Sequence, residues 1–257
     1  DAAAATRFYG QLFGWEFSDA MPPDAPGSYL IATLDGQDVA AVQPGDDGLG
    51  WVSYIACDDA DKTAALVAAS GGEVVEEPED AGPGGRAAGC RDPQGAFFRL
   101  WQARRRLGAQ AVNMPGAWNF SDLHSPDPGD ALRFYHEVFG WRVDDNLGAG
   151  MIRLPGYGDH LASTSDPDIH ERQKFAPEGF ADVVAGFEQA DVPAHWSIRF
   201  VAPDRDDTAA KAEQLGARVD RTFETDWTRE AEIVDPLGAR FFISQLVIPD
   251  EFRNPDA

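Results

Sequence analysis

The chain has 257 residues, 43% of them hydrophobic, and a formal charge of −23 from 44 acidic against 21 basic side chains. That length and apolar content suit two domains with cores of their own, and the charge argues against nucleic acid and anionic membrane surfaces as partners. No apolar run reaches the length of a membrane span, and the two cysteines, Cys57 and Cys90, give neither a disulfide framework nor metal-type spacing, so a reducing, cytoplasmic compartment is expected.

The first element is a helix that runs into a strand. In RFYGQLFGW, Arg7 to Trp15, the residues Ala5, Phe8, Leu12 and Phe13 recur at helical spacing and form one apolar stripe. Gly14 stands where a helix closes on a residue of positive φ. Trp15, Glu16 and Phe17 then alternate as a half-buried strand does. The same nonapeptide returns as RFYHEVFGW from Arg133 to Trp141, with Gly140 in the place of Gly14. A repeat of this kind sets the architecture before any other feature does. Phe8, Tyr9, Phe13 and Trp15 are read as core, since aromatic stripes at this spacing pack.

A second repeat lies inside the first. WVSYIACDDADKTAALVAASGGEV begins at Trp51 and WSIRFVAPDRDDTAAKAEQLGARV at Trp196. Each reads as strand, helix, glycine stop and new strand. Further on, DPQGAFFRLWQ from Asp92 matches DPLGARFFISQ from Asp235, and Asp-Pro-x-Gly is turn chemistry between two strands. The chain therefore divides into an N-terminal domain, 1–102, with modules 1–50 and 51–102, and a C-terminal domain, 118–247, with modules 118–170 and 180–247. Residues 103–117 form a linker that carries the solvated basic run Arg104-Arg105-Arg106, and 248–257 form a tail. A sheet covered by its helix on one face stays open on the other until a second module joins it, so each pair should enclose a cup.

These motifs make the chain resemble the vicinal oxygen chelate superfamily, which includes glyoxalase, bleomycin-resistance and extradiol dioxygenase proteins. The carriers are the doubled F-Y-x-x-x-F-G-W, the doubled Asp-Pro-x-Gly and the two Trp-led strand–helix units, and they span nearly the whole chain. Within it the chain looks most like two-domain glyoxalase-like proteins of actinobacteria, some of them named hydroxylases. The resemblance implies an α+β fold of four tandem βαβββ modules, paired into two domains whose mixed sheets form cups. Asp127 leads into its helix from the strand WNFSDLHSPD, and Asp1 corresponds to Asp127. The first strand of module one is therefore absent from the sequence, which is expected to be trimmed there.

Metal-dependent members of that superfamily place ligands on the first strand of a module and a Glu on its last. Carried over, the first-strand positions fall on Val52, Phe120 and Ser197, and the last-strand positions on Arg99 and Phe242. None is a good ligand for a divalent ion, so no metal and no other cofactor is expected.

Strand alternation points Phe120, Asp122 and His124 into the C-terminal cup, with Ser197, Arg199 and Val201, and then Arg240, Phe242 and Ser244. Phe120 and Phe242 would form an apolar floor, with Asp122, His124 and Arg199 as orienting polar groups. Trp227 would act as a lid. Asp122 and His124, two residues apart, are either a general-base couple or a solvated rim pair. The N-terminal cup should carry Val52, Tyr54 and Ala56, with Phe97, Arg99 and Trp101. Arg99 would either clamp a ligand beside Tyr54 and Trp101 or pair with a carboxylate. His195 reads as a capping or packing residue, His136 and His170 as exposed, and His160 as lying in or near a short strand.

Three readings follow. The first is a metal-independent protein, monomeric or homodimeric, that binds a small organic molecule in a cup, with the C-terminal cup preferred. The second is an enzyme of the same superfamily, of hydroxylase, lyase or dioxygenase type, that uses Asp122, His124 and Arg199, with or without a metal held in a non-standard way. In the third, one cup is filled and the domain pair serves assembly. The sequence leaves open whether any reaction is catalysed.

Overall fold

Four helix starts in this chain are written the same way. In the computed structural model, which describes residues 1–22, 24, 26–45, 50–148, 150–174 and 176–249, an aspartate caps each of them. Asp1 accepts from the Ala4 amide at α1 (Ala2–Phe13), and Asp59 accepts from Lys62 at the helix Ala60–Ala69. Asp127 accepts from Asp130 at Pro128–Phe139, and Asp204 from Asp207 at Arg205–Gln214. Each carboxylate satisfies an amide that the helix leaves without a partner. The two aromatic helices end on Gly14 at φ 79° and Gly140 at φ 72°, the left-handed conformation expected of them.

After α1, module one has β1 (Glu16–Asp19), β2 (Leu30–Leu34) and β3 (Gln37–Val42). Module two has β4 (Tyr54–Ala56), α2 (Ala60–Ala69), β5 (Glu73–Ala81), β6 (Gly85–Arg91) and β7 (Phe97–Ala103). Module three has β8 (Trp118–Ser125), α3 (Pro128–Phe139), β9 (Arg142–Val143), β10 (Met151–Arg153), α4 (Tyr157–Ser163), α5 (Ile169–Arg172) and β11 (Val183–Gln189). Module four has β12 (His195–Val201), α6 (Arg205–Gln214), β13 (Arg218–Glu224), β14 (Thr228–Val234) and β15 (Arg240–Leu246). His160 thus sits in α4, not in or near a strand, because the stretch after β10 coils into two short helices before the module closes. The tail expected at 248–257 lies, beyond residue 249, outside the described residues.

The strands of module one run β1-β2-β3, those of module two β4-β7-β6-β5, those of module three β8-β11-β10-β9 and those of module four β13-β14-β15-β12. In modules two, three and four the first strand lies parallel to the last, and the remaining pairs are antiparallel. The fold is therefore α+β with several mixed sheets. Among the described residues no helix is long and apolar enough to cross a membrane.

The chain forms two compact units, and they are not the two halves of the sequence. One unit gathers Asp1–Trp51, Gly108–Asn119 and Ile198–Ala257, and the other gathers Val52–Leu107 and Phe120–Ser197. Module one is thus grouped with most of module four, and module two with module three, where the sequence suggested a division at 103–117. The cores give the reason. The stripe Ala5, Phe8, Tyr9 and Leu12 of α1 packs with Ile198, Phe200, Ala209, Phe241 and Ile243. In the second unit Ala131, Phe134 and Tyr135 of α3 pack with Ala88, Cys90, Phe98 and Leu100. An apolar helix face must be buried against a sheet, and neighbours in space need not be neighbours in sequence. The expected linker also belongs to a core: Ala111 and Ala117 are buried there, and the Gly116 carbonyl accepts from the Trp15 indole at 2.8 Å. Arg104 is held by Asp80 at 2.7 Å, so the basic run is anchored at that residue.

The repeats that marked the modules build one cluster in each unit. In the first, Tyr9 Oη donates to Asp235 Oδ2 at 2.9 Å and accepts from Trp51 Nε1 at 3.1 Å. In the second, Tyr135 Oη donates to Asp92 Oδ2 at 3.1 Å and accepts from Trp196 Nε1 at 3.0 Å. Trp15 stacks on Tyr9 with centroids 5.5 Å apart, and Trp141 on Tyr135 at 5.4 Å. Each aspartate opens an Asp-Pro-x-Gly turn, and its other oxygen accepts turn amides: Gln94 and Ala96 on Asp92, and Leu237, Gly238 and Ala239 on Asp235. Burial pushes both tyrosine hydroxyls far above their ordinary range and raises the Asp92 carboxyl, against the hydrogen bonds it accepts.

Candidate functional site

In modules two and four, one sheet face is taken by the helix and the core, and alternation sends the remaining side chains to the other face. On module two that face holds Tyr54, Phe97, Arg99 and Trp101. Tyr54 lies opposite Arg99 in the parallel pair of β4 and β7, and Ala56 opposite Trp101. Tyr54 is 42% exposed and Val52 38%. The Tyr54 and Trp101 rings meet edge to face at 6.2 Å. Trp101 is fixed by a hydrogen bond from its indole to the Arg106 carbonyl at 2.9 Å and lies over Gly85, where an added Cβ would come within 2.7 Å of the ring. Arg99 donates to Glu76 at 2.6 Å and lies over the Phe97 ring. Arg99 thus pairs with a carboxylate while its neighbours stay open to solvent.

The corresponding face of module four is closed. Arg199 lies opposite Phe242 in the parallel pair of β12 and β15, and its guanidinium sits 5.0 Å from the centroid of that ring. Its Nε donates to Glu230 at 2.8 Å, and Thr228 donates to the other oxygen of Glu230 at 2.9 Å. Ser244 Oγ lies 3.5 Å from that second oxygen. Phe242 is only 5% exposed, and Ser244 and Glu230 are equally buried. Arg240 is turned to Asp220 and Glu232, both at 2.7 Å. Trp227 is half-buried in the turn between β13 and β14, where its amide donates to Thr225 at 3.1 Å.

On module three, Phe120, Asp122 and His124 share one face of β8. The Asp122 carboxylate occupies the space above Gly186, where a Cβ would come within 2.1 Å of it, and Phe120 crowds the same place. His124 is 6% exposed. Its Nε2 lies 2.9 Å from Ser197 Oγ, its Nδ1 lies 3.5 Å from a Glu188 oxygen, and its ring stacks on His195 at 4.7 Å. Glu188 escaped the sequence reading because its place beside His124 comes from the parallel register of β8 and β11, which periodicity does not encode. His195, read as a capping or packing residue, packs on His124 and is tied to the Pro193 carbonyl at 2.8 Å. His136 and His170 are turned to the Trp141 carbonyl and to Asp159.

The residues onto which the resemblance carried the superfamily's metal donors are Val52, Arg99, Phe120, Ser197 and Phe242. Arg99 is already engaged with Glu76, and Phe242 lies under a guanidinium. A divalent ion needs several converging oxygen, nitrogen or sulfur donors, and these residues do not fit one. Among the described residues no group of three or more His, Cys, Asp or Glu could hold a metal ion.

Known proteins resemble this chain in sequence and in fold. Residues 1–100 match the model of the glyoxalase/bleomycin resistance protein/dioxygenase superfamily, and residues 105–244 match that of the glyoxalase-like domain. CFP32 of Mycobacterium bovis, a protein named for the glyoxylases, is 34% identical over 95% of this chain and 90% of its own length. The anthracycline biosynthesis protein DnrV of Streptomyces peucetius is 31% identical over 96% of this chain and 90% of its own length. Among solved structures, the Mn(II)-bound glyoxalase of Novosphingobium aromaticivorans superposes with a TM-score of 0.62 at 19% identity, covering 95% of this chain and 78% of that one. The catechol dioxygenase BphC does so at 0.55 and 17%, covering 98% and 86%. The chain belongs to the glyoxalase/bleomycin resistance protein/dioxygenase superfamily.

Proposed function

We propose that this chain is a metal-independent binding member of its superfamily, and that a small planar aromatic molecule docks on the open face of module two. The observation that carries this reading is the exposure of Tyr54, 42%, beside an immobilised Trp101 and a guanidinium already held by Glu76. Exposed aromatic surface next to oriented donors is the usual make-up of a site for a flat ligand. Stacking on Trp101 and Tyr54 would supply affinity, and Arg99 would orient a carbonyl or phenolic oxygen on the ligand's edge. The kinship with a protein named for anthracycline biosynthesis supports the choice of polycyclic aromatic compounds as the class. The sequence favoured the C-terminal cup, but the side chains proposed there from module four are buried and engaged with one another, so they offer less to a ligand. A reducing, cytoplasmic setting and a monomer or homodimer complete this reading. The two free thiols agree with it: Cys90 is buried with its pKa pushed up to about 11, and burial raises Cys57 as well.

Titration with daunorubicin, read as quenching of tryptophan emission, tests the proposal. Tyr54→Ala and Trp101→Ala should each weaken binding by about tenfold or more, the loss of one stacked ring, and Arg99→Ala by less. Unchanged binding in both aromatic variants, or no binding by the parent chain, would overturn it. Loss of binding in Arg199→Ala and Phe242→Ala alone would transfer the site to module four.

A further inference from the structure

We propose that Ser197, His124 and Glu188 form a metal-free nucleophile–base–carboxylate relay that accepts the acyl group of an activated ester. The centre lies within one compact unit and uses no residue of the aromatic face on module two. Three strands build it. Ser197 and His195 project from the same face of β12, His124 projects from β8, and Glu188 stands beside His124 in the parallel register of β8 and β11. The imidazole is buried and fixed on three sides, with Ser197 Oγ at 2.9 Å on Nε2, Glu188 at 3.5 Å on Nδ1 and the His195 ring stacked at 8° to its plane. Flipping the ring would put Nε2 against the carboxylate and lose the serine.

The chemistry follows from which nitrogen holds the proton. A carboxylate only accepts, so Glu188 favours the tautomer with hydrogen on Nδ1. Nε2 then offers its lone pair to the hydroxyl of Ser197. The Nδ1 contact is long for a hydrogen bond, as such contacts often are before substrate binds. His195 takes no share in the proton, because its Nδ1–H is spent on the Pro193 carbonyl at 2.8 Å. Among the described residues, the charged and titratable groups beside His124 in this unit include Glu188 from β11, His195 from β12 and Asp122 on its own strand.

In the first half-reaction Ser197 Oγ attacks the acyl carbon as its proton passes to His124 Nε2. The bond to the leaving oxygen then breaks, and that oxygen takes the proton back from Nε2. In the second half-reaction water attacks the acyl-serine, gives a proton to Nε2, and serine leaves with it. No oxidant, reductant or metal is consumed. Ser197 would touch the substrate, His124 would move the proton, and Glu188 is a positioning residue. Esters of phenols fit best, since their leaving oxygen needs least help.

The test uses diisopropyl fluorophosphate on the intact protein, with the adduct located by mass spectrometry of peptides. Ser197 Oγ should form a bond to phosphorus, expel fluoride and pass its proton to His124. The adduct should vanish in Ser197→Ala and form about a hundredfold more slowly in His124→Gln, the usual scale for a lost general base. In the parent chain the labelling rate should rise with pH as the imidazole loses its proton. Glu188→Gln should move that midpoint to lower pH, because removing the carboxylate destabilises the imidazolium, whereas a merely structural role for Glu188 would leave it in place. No adduct on Ser197, an adduct on another residue, equal labelling in a folded His124→Gln protein, or an unmoved midpoint would each overturn the relay.

Discussion

Modules two and four use the same pair of positions in opposite ways. Where the first strand meets the last, module two sets Tyr54 opposite Arg99, and module four sets Arg199 opposite Phe242. The aromatic ring and the guanidinium have exchanged strands, and each arginine keeps a glutamate from the strand next but one in its sheet, Glu76 at 2.6 Å and Glu230 at 2.8 Å. The difference lies in solvent. The side chains of Glu76 and Arg99 are 41% and 25% exposed, while those of Glu230 and Arg199 are 6% and 13% exposed. The same chemistry therefore holds a closed face together in one module and leaves an open one in the other. The lesson is that an inward-facing arginine says little about ligands until the exposure of its neighbours is known.

That comparison can be broken most sharply at Glu230. Glu230→Ala removes an acceptor shared by Arg199, Thr228 and Ser244 from a buried site, and should cost about 3–5 kcal/mol of unfolding free energy in urea denaturation. A loss under about 1 kcal/mol would mean that the face is not closed in solution. The twin clusters come next. Tyr9→Phe and Tyr135→Phe each remove the hydroxyl that joins an aspartate to an indole, and should cost about 1–3 kcal/mol apiece, measured in the same way. Near-additive losses in the double variant would show that the two units hold their clusters independently. Glu76→Ala, the partner test to Glu230, should cost no more than about 1 kcal/mol, because its ion pair is screened by water. A large loss there would erase the contrast between the two faces.

The smallest effect is a slope. Desolvation raises the Asp92 carboxyl above its ordinary range, so the folded state disfavours its charge. Above the folded pKa, carrying that charge lowers stability. As pH falls through the folded pKa towards the ordinary value the penalty disappears. Asp92→Asn keeps an acceptor for the turn amides, so its stability relative to the parent should be greatest at neutral pH and decline in acid. Thermal melts between pH 7 and 4 measure the difference, and a constant gap would show that Asp92 titrates normally.

Much of this molecule is legible in the chain. Asp127 and Asp204 announce helix starts, Gly14 and Gly140 announce helix ends, and the doubled motifs announce repeated modules, because each of these is set by hydrogen bonds or dihedrals within a few residues. The repeats also carry the superfamily. Less could be read of α4 and α5, since Tyr157 to Arg172 has no cap-to-glycine frame like the others.

The partners of the repeats could not be read at all. Tyr9 meets Asp235, and Tyr135 meets Asp92, although simple order along the chain would have put module one with two and three with four. The choice rests on burying an aromatic helix stripe and satisfying one hydroxyl, one carboxylate and one indole together, and only long-range packing supplies that. The same holds for function. Alternation placed Tyr54, Arg99, Arg199 and Phe242 on their faces, but the tertiary structure decided which face water reaches. It also set Glu188 beside His124 and Ser197, because strand register, unlike strand periodicity, is fixed by the fold as a whole.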